Sequence, residues 1–426
     1  MQAPPISEIR HLTLPPVRKF SLPNDISVTS LHDPLAEYVR FEIVFEAGRY
    51  QESQKLISKA AALLMKEGTV NLSRKQISEI FDSKGATLQV RNSLDYTFLS
   101  FVCLSEYATE LLEVAASMCI EPAYEEVEVA KYRKLQARKL EIELRKTEVV
   151  AYREMTSLVF GENSPYGYNS EVADYAELQR DDIIRFHNKH ILKGKKHIFV
   201  TGFIGSGFLD KVSDLFGIDQ LECRYSNGEF NVEIQRSSIS AHFEMPTAVQ
   251  SSVRLFRPLF NRRHDDYARA FLLNIVLGGY FGSRLMKNIR EDQGLTYGIY
   301  SSLDTLKHSG YLYISTETRH ENVKKVLNLV NMEMQTLCET PCRNDELLMV
   351  KRYIAGQFLR MIDGPLNVMK VYRTLALDRL PSQHYDELLE KIWRCSPHDL
   401  LHIAQSYLKP DQFSLITVGK IDEQTT

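Results

Sequence analysis

Two side chains that could act on the same atom stand seven residues apart in LGGYFGSRLMKNIREDQGLTYGIYSSL, residues 277–303. Arg290 carries a permanently charged guanidinium with five donors, and Tyr297 a neutral phenolic donor. Projected from a helix end and an adjoining strand, the two could converge on one carbonyl oxygen. The local pattern allows this. Leu285, Met286 and Ile289 fall at helical spacing after Ser283, Gly294 supplies a stop, and residues 295–300 alternate as a strand does. A plainer reading sets Arg290 against the helix dipole or pairs it with Glu291 or Asp292, and makes Tyr297 an ordinary strand aromatic. Residue types alone favour that plainer reading.

Other reactive groups are dispersed. His398-Asp399-Leu400-Leu401-His402 puts two imidazoles at i and i+4 on one helix face. Yet Ser396 suits an N-cap, Pro397 the first helical position and Asp399 the first turn, so helix-start chemistry accounts for most of the run. His187 and His190, at i and i+3, read as helix-surface or packing residues. The six cysteines show no CxxC pairing and fit reduced thiols in a reducing compartment. There is no G-x-S-x-G and no Cys/His context for an independent nucleophile.

The elements that must position these groups divide into two similar runs. Strands at 26–31 and 39–45 are followed by a helix at 55–66 and another at 73–82, which opens with a Ser73/Gln76 capping box. Strands at 87–92 and 96–103 flank a tight turn at 93–95. Helices follow at 107–118, in one long charged stretch at 124–160, and at 181–190, before a strand at 197–201. From Gly205 to about Ser238 the apolar periodicity weakens. Then the order recurs: a strand at 249–256, helices at 265–277 and 283–290, strands at 297–303 and 310–317, helices at 321–338, 345–361, 366–376, 384–393 and 397–407, and a last strand at 413–418. The expectation is an α+β fold of two homologous domains, 1–215 and 239–426, each a mainly antiparallel sheet with helices packed on it, joined by a linker at 216–238.

Composition sets the outer limits. A chain of 426 residues with 44% apolar and 25% charged side chains can bury two cores. A net charge of −3 argues against nucleic acid or an anionic membrane as partner, and no apolar run is long enough to span a bilayer. The first sixteen residues lack an apolar h-region, so a cytoplasmic location is expected, or a periplasmic one if an export signal preceded this Met1.

The run SRLMKNIREDQGLTYGIYS resembles the second-domain signature of the insulinase/pitrilysin family of zinc peptidases, the inverzincins. The resemblance covers nearly the whole chain. It implies that Arg290 and Tyr297 reach across to the zinc site of an opposite domain and contact the substrate carbonyl. The first-domain frame is present too, with Ala47, Gly48, Arg49 and Glu52 before a helix and Gly68 and Thr69 after it. Where that family carries H-x-x-E-H, however, this chain has Lys59, Ala62 and Leu63. A third ligand would fall near residues 139–141, and Glu141 alone does not hold zinc. Residues 85–98 resemble the substrate hairpin, with Gly85, Ser93, Asp95 and Thr97 matching and Gln89 and Val90 in the places that grip the substrate backbone.

The combined expectation is a chain with no metal or other cofactor of its own. It would be inactive alone and act as the non-zinc subunit of a heterodimeric metallopeptidase on unfolded peptides. A homologous partner would bear the zinc, while Arg290 and Tyr297 of this chain would assist. Leu277 to Ser283 has no room for the long Gly-rich loop of a presequence-recognising subunit. The alternative is a catalytically inactive structural or peptide-binding module, possibly self-associating, in which the pair is vestigial.

Overall fold

The computed structural model describes residues 8–223 and 238–420. Two sheets organise it. The first contains β1 (Arg18–Ser21), β2 (Ser27–His32), β3 (Tyr38–Phe45), β4 (Thr87–Asn92), β5 (Thr97–Leu104) and β6 (Lys196–Gly202), in the order β1-β2-β6-β3-β5-β4. The second contains β7 (Ser240–Glu244), β8 (Ser251–Leu259), β9 (Thr296–Thr305), β10 (Gly310–Thr318) and β11 (Ser414–Gly419), in the order β7-β11-β8-β10-β9. Apart from the extra β1 the two orders superimpose, strand for strand, with one parallel pair in each (β2 with β6, β7 with β11) and antiparallel pairing elsewhere. This is the expected α+β duplication, and it leaves β4 and β9 as edge strands.

Helices α1 (Ile57–Leu64), α2 (Arg74–Ser83), α3 (Ala108–Ile120), α4 (Glu126–Glu143), α5 (Thr147–Phe160), α6 (Asp174–Glu177), α7 (Arg180–Phe186) and α8 (Phe208–Phe216) belong to the first run. The second run adds α9 (Tyr267–Leu277), α10 (Val323–Glu339), α11 (Asn344–Met361), α12 (Pro365–Leu377), α13 (His384–Arg394) and α14 (Pro397–Tyr407). Two expectations need correcting. The single helix at 124–160 is two, broken at Leu144–Lys146. And the stretch after Gly205 is not merely irregular: Phe208, Val212 and Phe216, at i, i+4 and i+8, bury one face of α8. Of the linker at 216–238, residues 224–237 lie outside the described residues.

The break before α5 has a packing cause. Ala151, Met155, Val159 and Phe160 form an apolar stripe that lies against Phe256, Tyr311, Tyr313, Ile416 and Val418 of the second sheet, so the chain must turn to bring them there. The second run answers in kind. Helix α12 crosses to the first sheet, where Arg373 Nη1 donates to both Glu42 oxygens at 2.9 Å and Tyr96 OH donates to Leu377 O at 3.0 Å. Val44 and Phe199 of the first sheet join the core of the second run. The N-terminal arm also crosses: Trp393 Nε1 donates to Ile9 O, Leu12 N to Asp386 Oδ1 and Tyr372 OH to Pro15 O, each at 2.8 Å. No described helix is long and apolar enough to cross a membrane.

Candidate functional site

The segment bearing Arg290 is wound as a π-type turn, Met286–Glu291. Asp292 N donates to Lys287 O, five residues back, at 2.9 Å, and Gly294, at φ +62°, ends the turn. Wide turns of this kind need support from outside. Leu285, Met286 and Ile289 sink into the core, Arg284 clasps Glu346 of α11 through two bonds of 2.8 and 2.9 Å, and Asn288 binds Glu333 of α10. Arg290 itself is half-buried and lies over the Phe281 ring at 4.9 Å. Among the described residues it makes no ion pair, so the pairing with Glu291 or Asp292 weighed above does not form.

Tyr297 sits in a β-bulge. Ile299 lies opposite Thr316 but Thr296 lies opposite Thr318, so β9 spends three steps where β10 spends two. Simple alternation would send Tyr297 inward with Ile299, which is fully buried. The extra residue turns it out instead, to 88% exposure. Hydroxyls pin the bulge on either side. Thr296 Oγ1 donates to Glu317 O at 2.7 Å and accepts from Gly298 N at 3.1 Å, and Thr316 Oγ1 donates to Gly298 O at 2.9 Å. Thr296 and Thr316 lie twenty residues apart, and nothing in the sequence marks them as partners.

In the first sheet the family's metal helix corresponds to α1. Ala62 is fully buried, and Lys59 and Leu63 are the helix's two half-exposed side chains. Burial holds the Lys59 ammonium below the ordinary lysine range, and the charge of Lys139 adds to this. Glu141 is spent on Arg138 at 2.7 Å, and no group of three potential metal donors occurs among the described residues. Zinc does not fit here: an ammonium stands where an imidazole would be required, and neither alanine nor leucine offers a donor.

The matched frame residues serve as scaffold. A Cβ at Gly48 would lie 2.4 Å from Asp95 C, so the turn before α1 can press against the hairpin turn only with glycine there. Thr97 Oγ1 donates to Ala47 O at 2.6 Å, and Ser93 Oγ accepts from Tyr96 N at 3.1 Å. Glu52 accepts from Ser58 N at 2.9 Å and from Tyr168 OH, its carboxyl pushed up by burial. On the edge strand Gln89 points to solvent, whereas Val90 is 8% exposed and packs in the core, which leaves Val90 only its main chain to offer a peptide. His398 and His402 are exposed, and Asp399 closes a capping box on Ser396 instead of supporting a metal. His187 is buried against Tyr124 OH at 2.8 Å, a packing role.

Residues 27–160 match the family description "Insulinase (Peptidase family M16)" and residues 177–354 match "Peptidase M16 inactive domain". The chain belongs to the M16 family. It is similar to YmxG of Bacillus subtilis, named an uncharacterized zinc protease, with 21% identity over 82% of this chain and 85% of that one. It is also similar to a Helicobacter pylori protein named a non-peptidase homolog, with 29% identity over 37% of each. In fold it resembles an M16 inactive domain from Pseudomonas fluorescens, with a TM-score of 0.86, 20% identity and coverage of 96% of this chain and 100% of the other. This M16 member is thus peptidase-like in fold, without a set of metal donors of its own among the described residues.

Proposed function

We propose that the chain is the non-zinc subunit of a two-chain M16 peptidase acting on unfolded peptides. A homologous partner bears the metal, and Arg290 and Tyr297 assist there. The observation that carries the reading is the outward turn of Tyr297. A strand aromatic held at 88% exposure by a pinned bulge has no packing role, whereas a phenol meant for a substrate oxygen must project in this way. The unpaired guanidinium of Arg290, half-buried one turn earlier, supports the same reading. At a peptide carbonyl the phenol would donate one neutral hydrogen bond and the guanidinium a charged one, both strengthening as negative charge develops on the oxygen.

The test is co-expression with a homologue that carries an intact H-x-x-E-H, followed by cleavage of an unstructured peptide. The pair should form a complex and cleave, while this chain alone should not. A stable complex that cleaves equally well with Arg290→Ala or Tyr297→Phe would show that the pair has no assisting role. If no complex forms with any such homologue, the heterodimer itself is wrong.

A further inference from the structure

A guanidinium that is to meet a developing oxyanion must be held in place and yet keep its charge and its donors unspent. A carboxylate partner would hold Arg290, but it would also neutralise the charge and take up N–H groups. No such partner forms. Glu291 and Asp292 stand next in the chain without pairing to it, and among the described residues the Arg290 side chain makes no hydrogen bond or ion pair. What it does meet is the ring of Phe281, whose centroid lies 4.9 Å from Cζ. A ring face attracts a cation through its quadrupole and consumes no donor. Phe281 is 63% exposed, so its ring does not fill the core. The loop that carries it, residues 278–283, is tied at both ends to the elements that bear the pair. Ser301 N, on the strand of Tyr297, donates to Gly278 O at 3.1 Å, and a Cβ at Gly278 would lie 2.5 Å from that nitrogen, so only glycine permits the approach. Just before the turn of Arg290, Ser283 N donates to Tyr280 O at 3.1 Å, while the Tyr280 ring packs on Tyr353 of α11 at 4.7 Å.

We propose, granted the assisting role argued above, that Phe281 is the positioning residue of Arg290. Its ring sets the guanidinium before a substrate arrives and leaves every N–H donor for the carbonyl oxygen. The ordering of a long, freely rotating side chain is then complete before the reaction begins. Phe281 acts only through Arg290.

Two measurements test it. The first needs no partner. In the full chain with isotope-labelled arginine, the Arg290 Nε–Hε signal, assigned by its loss in Arg290→Lys, should lie upfield of its position in an unstructured peptide because of the ring current. Phe281→Leu should return it to that position while hardly moving the thermal midpoint, since the ring is mostly exposed. The second is kinetic, in the complex with a zinc-bearing homologue. Phe281→Leu should lower kcat about fivefold with KM unchanged, Phe281→Trp should restore it, and Phe281→Leu should cost nothing further in an Arg290→Ala background. An unshifted Arg290 signal, full activity of Phe281→Leu where Arg290→Ala is impaired, or a loss that persists in the Arg290→Ala background would overturn the positioning role alone. A shifted signal together with full activity of Arg290→Ala would overturn the assisting role, and the positioning role with it, leaving the contact purely structural.

Discussion

At the scale of single residues, the decisive contrast is between what Tyr297 and Arg290 do for the fold and what they would do for a substrate. Tyr297 is almost wholly exposed and Arg290 contributes little beyond its contact with the Phe281 ring. Tyr297→Phe should therefore leave the urea midpoint within the scatter of ordinary surface changes, about 0.5 kcal/mol, and Arg290→Ala should cost no more than about 1 kcal/mol. In the complex with a zinc-bearing homologue, each should lower kcat/KM about a hundredfold, the usual consequence of deleting one donor to a developing oxyanion. Loss of stability in step with loss of activity would mean the residues are structural after all. Residue types and spacing alone favour a structural reading of the pair, and it is the resemblance of the SRLMKNIREDQGLTYGIYS run to the family signature that singles the two side chains out. The exposure of Tyr297 was not legible, because a period-two pattern puts it on the same side as Ile299.

At the scale of elements, what escapes sequence reading has a physical character in common: it depends on partners far along the chain. Strand β4 falls at the residues its alternation predicts, and the capping boxes at Ser73 and Ser396 form as their local signatures require. These are short-range effects. The bulge in β9 depends on Thr316 and Glu317 of the next strand, and the division of residues 124–160 depends on a sheet built from residues after 250. Helix α8 is the exception, since the spacing of Phe208, Val212 and Phe216 was visible but masked by the glycines around it. The bulge also carries a prediction. Thr316→Val keeps the shape of a buried residue but removes the hydroxyl that binds Gly298 O and Thr296 Oγ1. The expected loss is about 1–2 kcal/mol of stability, with faster hydrogen exchange at Gly298. If Tyr297 owes its outward aim to this pinning, peptide cleavage with the partner should fall by more than the stability change explains. An unchanged exchange rate at Gly298 would show that the bulge holds without the hydroxyl.

At the scale of the whole molecule, each sheet borrows a helix from the opposite run, and the arm at the N-terminus straps across as well. Cutting the chain within residues 224–237 after folding, at an inserted protease site, should leave the two pieces eluting together under native conditions. Expressed separately, each piece would expose the face its borrowed helix covers and should aggregate. Recovery of two soluble, folded monomers would contradict the exchange.

The junction between the sheets also predicts an acid response. Burial alone would raise the Glu46 carboxyl, but hydrogen bonding to His197 and the charge of Lys307, which reaches over from the β9–β10 turn at 2.7 Å, outweigh it and hold the group at about 2. A carboxylate moved from 4.5 to about 2 stabilises the fold by roughly 3 kcal/mol where it is ionised in both states. The sign follows from the depressed value: the contribution is complete above about pH 5 and is lost as pH falls through 4.5 toward 2. Glu46→Gln should therefore be less stable than wild type at pH 7 in urea unfolding, and the gap should narrow steadily between pH 5 and 2. A gap that stays constant over that window would mean that the contacts of His197 and Lys307 do not hold the Glu46 carboxyl down in the folded chain.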